Sequence, residues 1–407
     1  MTNARPLRVG VIGMGFVGPQ HVDAVTRGGY GQVVAIGDID AGRLTTRSME
    51  LGIPGTTDLA ALVNDSSIDV VHICTPNHTH VALAIAALEA GKNIVVEKPL
   101  AMDSAAARQV VELAQRRHRH AMVSFTYRGY PMVRRARELV AAGELGELRL
   151  VHGTYLQDWL TGESDYNWRV EPLLGGRSRA VSDIGSHWFD TTEWVSGLRV
   201  TEVLADLATF LPTRERPYEE TAAFTSSTGL SERIAVASED AATILVRFAG
   251  GARGACVVSQ VSPGHKNDFT VEFAGSRQSL AWRQEEPERI WVGARDCSRL
   301  IHREPESRPI PGTPALPAGH PEGWSGALRD LLRPFYAAVA VGDEPPSRDE
   351  AAPYPTLSDG ARAVLFVEAV LTSAGESRWV PLSDEGVLVS HPKRSSLRAH
   401  AEAANKE

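Results

Sequence analysis

Cysteine is scarce in this chain. Only Cys74, Cys256 and Cys297 occur among 407 residues. They are odd in number, far apart and outside any metal-ligand spacing, which excludes a disulfide framework and a zinc site. Long apolar runs are missing too: none approaches the roughly 20 residues of a membrane-spanning helix. Positive charge is not in excess. The formal net charge is −8, whereas a nucleic-acid surface needs a basic face. The opening stretch MTNARPLRVG passes from a short polar leader into a strand-like run, without the apolar core and cleavage site of a secretory signal. These absences point to a cytoplasmic protein that engages neither nucleic acid nor membrane and holds no metal. With 43% hydrophobic and 23% charged residues, the composition is that of globular domains, and the length suffices for two.

Short, nearly continuous Val- and Ile-rich runs fill the first third: LRVGVIG, QVVAIGD, DVVHIC, NIVVEK and HAMVSF. Such runs read as strands buried on both faces. Helix-patterned segments such as THVALAIAALEAG and SAAARQVVELAQRR separate them. The alternation predicts a parallel sheet wrapped by helices.

The first strand runs into GMGFVG, with Gly13, Gly15 and Gly18. Gly13 permits a tight turn, Gly15 lets backbone approach a pyrophosphate, and Gly18 lets the following helix pack close. The helix N-terminus then offers free N–H groups and partial positive charge to the phosphates. Asp38 ends the next strand 25 residues after Gly13, close to the spacing of a ribose-binding acid. It predicts NAD over NADP, a preference that Arg43 in the same loop could soften. At the end of a later strand, CTPNHTH places Thr75, Asn77 and His80 on the nicotinamide side of the crevice, unless the segment is only a turn. EKP, again at a strand end, carries Lys98, which would be costly to bury unpaired. Phe16, Val17, Glu97 and Lys98 complete the expected cofactor contacts.

With GMGFVG, TPNHTH, EKP and SDIGSH in this order, the chain resembles the Gfo/Idh/MocA family, the relatives of glucose-fructose oxidoreductase and inositol dehydrogenase. The match runs from about residue 7 to residue 382. It takes in Gly175-Gly176 and the late helix GARAVLFVEAVLTSAGESRWVPL. The resemblance implies an α/β protein with a Rossmann domain over residues 1–127. A C-terminal α/β domain over 128–382 would carry a large, mostly antiparallel, open-faced sheet. That sheet would join copies into a homodimer or homotetramer. Residues 383–407 read as a flexible tail. The resemblance also implies Lys98, Asp183 and His187 as catalytic residues.

Asp183 and His187 lie four residues apart, on one face if the segment is helical. Histidine suits removal of a hydroxyl proton as the carbon loses hydride. Lys98 would stabilise charge on the same oxygen. Asp183 would orient the substrate or hold the histidine, and Asp190 would brace it or pair locally. Tyr127 and Arg128 at the domain junction, and Gln157, Trp168 and Arg169 in QDWLTGESDYNWRVEP, are expected beside Asp183 and His187 in a sugar-shaped pocket. Aromatic rings suit the apolar faces of a sugar, and polar groups suit its hydroxyls. Each could instead be an ordinary packing residue. The Pro- and Gly-rich stretch 303–324 could form a lid with His320 or Trp324, or a plain crossover. The expected activity is NAD-dependent transfer of hydride from a ring hydroxyl of a sugar, anhydrosugar or cyclitol. The alternatives are an NAD-retaining glycoside hydrolase working by transient oxidation, elimination, hydration and re-reduction, and a non-catalytic sensor.

Overall fold

The computed structural model describes residues 5–218, 229–304, 316–346 and 352–383. The predicted tail beyond Ser383 and the middle of the 303–324 loop lie outside these.

The N-terminal strands and helices alternate as β1 (Leu7–Ile12), α1 (Val17–Gly28), β2 (Gly31–Gly37), α2 (Ala41–Leu51), β3 (Gly55–Thr56), α3 (Leu59–Asn64), β4 (Val70–Ile73), α4 (His80–Glu89), β5 (Asn93–Val96), α5 (Ser104–Arg116) and β6 (Ala121–Val123). Asp40, Asp58 and Asp103 accept hydrogen bonds from the first turns of α2, α3 and α5, which starts each helix where the strand connection ends. The strands pair in parallel in the order β3-β2-β1-β4-β5-β6. The order reverses between β1 and β4, the switch point where such sheets bind ligands. Each strand built on an apolar run stops one or two residues short of its end, so Asp38, Cys74, Glu97 and Lys98 stand just past strand ends.

The second half adds α6 (Pro131–Ala141), β7 (Leu148–Leu156), α7 (Pro172–Gly175), α8 (Ser186–Ser196) and β8 (Val200–Ala208). A two-stranded ribbon follows, β9 (Thr213–Pro217) with β10 (Ser231–Ala235). Then come β11 (Ala241–Phe248), β12 (Arg253–Ser259), β13 (Asp268–Gly275), β14 (Gln278–Arg283), β15 (Arg289–Ala294), β16 (Ser298–His302), α9 (Gly323–Val341), α10 (Leu357–Glu376) and β17 (Val380–Pro381). Nine strands form one sheet, β16-β15-β14-β13-β7-β12-β11-β8-β17. All pairings are antiparallel except β7 with β12.

Burial alternates along most of these strands. Val151, Tyr155, Cys256, Val258, Phe269, Val271 and Phe273 are buried on one face, where α8 covers β7 and β13. Leu150, Leu245, Val257, Trp291 and Leu300 are exposed on the other. The chain then returns to the first domain. Leu328, Leu331, Leu332, Phe335 and Tyr336 of α9, with Tyr354, pack among Val9, Val11, Val22 and Val25. A Cβ on Gly129 would lie 1.9 Å from the Ala327 carbonyl oxygen, so the domain junction and α9 meet backbone to backbone.

Candidate active site

Gly13 leaves β1 at a φ of +94°, and a Cβ there would lie 2.6 Å from the Cys74 carbonyl oxygen. Only glycine serves. A Cβ on Gly18 would lie 2.0 Å from the Gly13 oxygen, so its absence lets α1 close on the loop. Gly15 is different: a Cβ there would meet nothing within 4 Å. It keeps space clear over the loop. Phe16 stands at the N-cap of α1 and no side chain caps the helix, which leaves the amides from Val17 onward for an anion.

Asp38 is anchored in this loop. One oxygen accepts from the Met14 N–H at 2.7 Å and Arg43 Nε at 3.0 Å; the other accepts from the Asp40 N–H at 2.9 Å and Arg43 Nη2 at 3.0 Å. Burial pushes its pKa up, but these bonds outweigh burial and hold it below the usual carboxylate value. Four donors fill the positions a carboxylate offers, so a ribose hydroxyl reaches Asp38 only as Arg43 yields. Phe16 and Ile39 flank the loop, 54% and 80% exposed. The open space over Gly15, the uncapped amides and the acid at the β2 end fit an NAD dinucleotide.

The TPNHTH segment serves the protein's own framework more than expected. Thr75 Oγ1 accepts from Thr79 Oγ1 at 2.6 Å. The Asn77 amide donates to the Gly175 carbonyl at 2.9 Å, tying the first domain to α7. His80, expected on the cofactor side, is buried, with Nδ1 2.7 Å from the Pro99 oxygen and Nε2 2.8 Å from the Thr75 oxygen. It clamps the EKP turn to the CTP turn.

Lys98 and Asp183 do meet. Lys98 Nζ donates to Asp183 Oδ1 at 2.6 Å and to the Asp183 carbonyl at 3.0 Å. Arg169 Nε lies 3.3 Å from the same carboxylate oxygen. Gln260 Nε2 donates to the other at 2.8 Å. Burial pushes the Asp183 carboxyl up, but Lys98 and Arg169 outweigh it and hold the group well below the carboxylate range. The segment is not a uniform α-helix. Val181–Gly185 form a π turn running into α8, a wider turn frequent at functional sites. Within it Asp183 turns to Lys98, and no hydrogen bond joins it to His187 among the described residues.

His187 sits in an aromatic box. Tyr127 stands edge-on with ring centroids 4.9 Å apart, and Phe125 at 6.1 Å. Its Nδ1 is buried without a hydrogen-bond partner among the described residues. Burial lowers its pKa, the Lys98 charge lowers it further, and Asp183 and Glu97 offset little, so it falls to about 3. The imidazole is neutral at working pH, for a reason other than the ordinary histidine value.

Two expected substrate contacts point elsewhere. Arg128 is buried and paired with Asp190 and Asp359; both its charge and that of Asp190 are occupied, so Asp190 does not brace His187. Tyr127 is buried too, its hydroxyl 2.6 Å from that of Tyr155. The remaining expected residues gather near Asp183. Arg169 lies over the Trp168 ring, 4.4 Å from its centroid. Gln157 Nε2 donates to Asn267 Oδ1 at 3.0 Å, and Tyr155 donates to the same oxygen at 2.7 Å. Trp159 and Tyr166 belong to a small core with Leu160, Val170 and Val236. His320 is exposed and its backbone oxygen accepts from Arg303, and Trp324 packs against the core. Sequence reasoning missed Gln260 and Asn267. Each is a polar residue beside a strand end, and the sheet order brings Gln260 to Asp183 and Asn267 to Tyr155 and Gln157. Among the described residues no group of three His, Cys, Asp or Glu could hold a metal, and no helix is long and apolar enough to cross a membrane.

Comparison with known proteins agrees with this geometry. Residues 7–125 match the model of the oxidoreductase family with NAD-binding Rossmann fold, and residues 133–281 the GFO/IDH/MocA C-terminal domain. A levoglucosan dehydrogenase of Pseudarthrobacter phenanthrenivorans is 31% identical over 338 residues, 80% of this chain and 83% of that one. A levoglucosan dehydrogenase solved with NADH and levoglucosan superposes with a TM-score of 0.81 at 28% identity, covering 92% of this chain and 99% of that one. An inositol dehydrogenase homologue from Azotobacter vinelandii, solved with NAD+, gives 0.79 at 28% identity over 93% and 98%. The chain therefore belongs to the GFO/IDH/MocA family of oxidoreductases, and its N-terminal domain is an NAD-binding Rossmann fold.

Proposed function

We propose that this enzyme oxidises a ring hydroxyl of a neutral sugar, anhydrosugar or cyclitol, with Lys98, Asp183 and His187 acting together. The observation that carries the assignment is the 2.6 Å bond from Lys98 to Asp183, which brings a residue of the first domain and one of the second to the same point beside His187. NAD, when bound, accepts the hydride. The protein's residues manage the proton and the oxygen. His187 is uncharged, and its Nε2 is the nitrogen left to accept the hydroxyl proton. Two Lys98 bonds go to Asp183, and the third N–H is available to stabilise charge on the reacting oxygen. Asp183, held ionised by three donors, sets the direction of the lysine.

The charge of Arg169 is engaged by Asp183, and the neighbouring groups are the amides of Gln157, Asn267 and Gln260. An amide both donates and accepts, as a hydroxyl does, which favours a neutral polyol over an anionic one. The named relatives that act on levoglucosan and inositol accord with this. The apolar, open sheet face further supports a homo-oligomer, and the free cysteines accord with the cytoplasm.

The test is a panel of free sugars, anhydrosugars, cyclitols and aryl glycosides with NAD, following NADH and released aglycone together, with Lys98→Ala as control. NADH formed in step with substrate, and lost in the variant, is the expected result. Aglycone release without net NADH would replace the proposal with redox-neutral glycoside cleavage. Turnover undiminished in Lys98→Ala would remove the assigned site.

A further inference from the structure

We propose that Glu239, acting with Ser178, is a positioning residue for the reaction: it caps the turn that carries Asp183 and so sets where the Lys98–Asp183 pair stands. The proposal rests on the assignment of Lys98, Asp183 and His187 above.

A helix leaves its first amides without partners in its own backbone. The segment entering the π turn and α8 begins at Arg179, and its leading amides are all accounted for. Glu239 Oε1 accepts from the Arg179 N–H at 3.0 Å and from the Val181 N–H at 2.8 Å. The Glu239 carbonyl accepts from the Ala180 N–H at 3.4 Å. Ser178 Oγ accepts from the Ser182 N–H at 3.2 Å and donates to Glu239 Oε1 at 2.7 Å. Both side chains are buried. A cap ordinarily comes from the residue just before the helix. Here the carboxylate comes from the connection between β10 and β11, 58 to 61 residues further on.

This distant cap bears on the width of the turn. A capping serine ordinarily accepts from the amide two or three positions on. Those amides, of Ala180 and Val181, are taken by Glu239. Ser178 accepts instead from Ser182, four positions on, and the Ser186 N–H reaches back five residues to the Val181 carbonyl. Asp183 lies inside this turn. Its own N–H donates to the Arg179 carbonyl at 2.8 Å, so a shift at Arg179 moves Asp183.

The same connection reaches the Asp183 carboxylate by a second route. The Asp240 carbonyl accepts from the Gln260 N–H at 3.0 Å, and Gln260 Nε2 donates to Asp183 Oδ2 at 2.8 Å. The Asp240 carboxylate pairs with Arg179 and Arg214, all three wholly buried. Glu239 and Asp240 thus hold the main chain and the side chain of Asp183 together. Among the described residues no hydrogen bond joins Glu239 to Lys98, Asp183 or His187, so Glu239 acts through the turn.

Two conservative variants separate position from charge. Glu239→Asp keeps the charge but is one methylene shorter, so its carboxylate cannot hold the Arg179 and Val181 amides where they stand. Glu239→Gln loses the charge but keeps an acceptor oxygen at the same reach. Both are followed by steady-state kinetics on the substrate that the sugar panel identifies and by NADH fluorescence titration. Glu239→Asp is expected to lower kcat by about tenfold to a hundredfold, the cost of a misplaced reacting group, with KM and NADH Kd nearly unchanged. Glu239→Gln is expected to keep most of kcat. Full kcat in Glu239→Asp overturns the proposal. So does an equal loss in Glu239→Gln, which would make charge the cause, or a loss confined to KM. Ser178→Ala, expected to show a smaller fall in kcat, decides where the aspartate variant does not fold, and full kcat there overturns the proposal. Hydrogen exchange needs no substrate. Peptides spanning 179–187 are expected to exchange faster in Glu239→Asp and as wild type in Glu239→Gln; unchanged exchange in Glu239→Asp also overturns the cap. Turnover that survives Lys98→Ala removes the site assignment, whereas loss in Lys98→Ala with none in Glu239→Asp removes this proposal alone.

Discussion

His187 is a base made weak by its surroundings. Aromatic rings on two sides and an Nδ1 buried without a hydrogen-bond partner among the described residues disfavour the cation, and the adjacent Lys98 disfavours it further. A base works while unprotonated. The acid limb of kcat/KM is therefore expected near pH 3, not at the 6.5 of free histidine. A pH–rate profile of the free enzyme checks this; a limb near 6.5 would assign the proton to another group. His187→Ala should lower kcat by about 10²–10⁴, and Lys98→Ala by about 10²–10³, with NADH affinity nearly unchanged by fluorescence titration. Asp38→Ala should weaken NAD more than NADP, and equal weakening would place the ribose contact elsewhere. The residue types of this site were legible from their motifs. Arg128 was not, because a guanidinium at a domain junction looks the same in sequence whether it faces a substrate or is held by Asp190 and Asp359.

At the scale of elements, the glycine loop separates two functions that one motif conceals. Gly18→Ala would drive a Cβ to 2.0 Å from the Gly13 oxygen, and both thermal stability and nucleotide affinity should fall. Gly15→Ala meets no protein atom within 4 Å. It should leave the melting temperature unchanged and weaken NADH about tenfold or more, about 1.4 kcal/mol. A melting loss in Gly15→Ala would show that the loop itself, not its ligand, requires that glycine. A second element contact depends on charge. Arg362 of α10 donates from Nε and Nη2 to the two oxygens of Glu193 in α8, each at 2.7 Å, with both groups buried. Arg362→Met leaves the buried Glu193 carboxylate with Arg199 at 2.8 Å and the Val200 N–H at 2.6 Å, and should cost about 1–3 kcal/mol in denaturant unfolding. The strands and helices around these contacts were readable from period-two and 3.6-residue patterning. The π turn was not, since one extra residue in a helical turn leaves the apolar spacing almost intact.

At the scale of the molecule, one face of the nine-stranded sheet holds α8 and the other exposes Leu150, Leu245, Val257, Trp291 and Leu300. A homo-oligomer through that face predicts that Leu245→Glu with Trp291→Glu yields monomers in sedimentation velocity, with the fold retained by circular dichroism. Unchanged sedimentation would move the interface elsewhere. The amino-acid order by itself determined the two-domain α/β architecture and the dinucleotide loop, because strand burial and glycine geometry are local properties of the chain; Lys98, Asp183 and His187 were singled out by family resemblance. Tertiary structure alone decided which of these groups meet. The Lys98–Asp183 pair spans 85 residues and the Gln260–Asp183 bond 77. Arg128 turned inward because Asp190 and Asp359, far along the chain, were there to pair with it. The Glu239 cap exists only because the β10–β11 connection folds back onto the start of the π turn. Contacts of that kind are set by how layers stack, and no local pattern carries them.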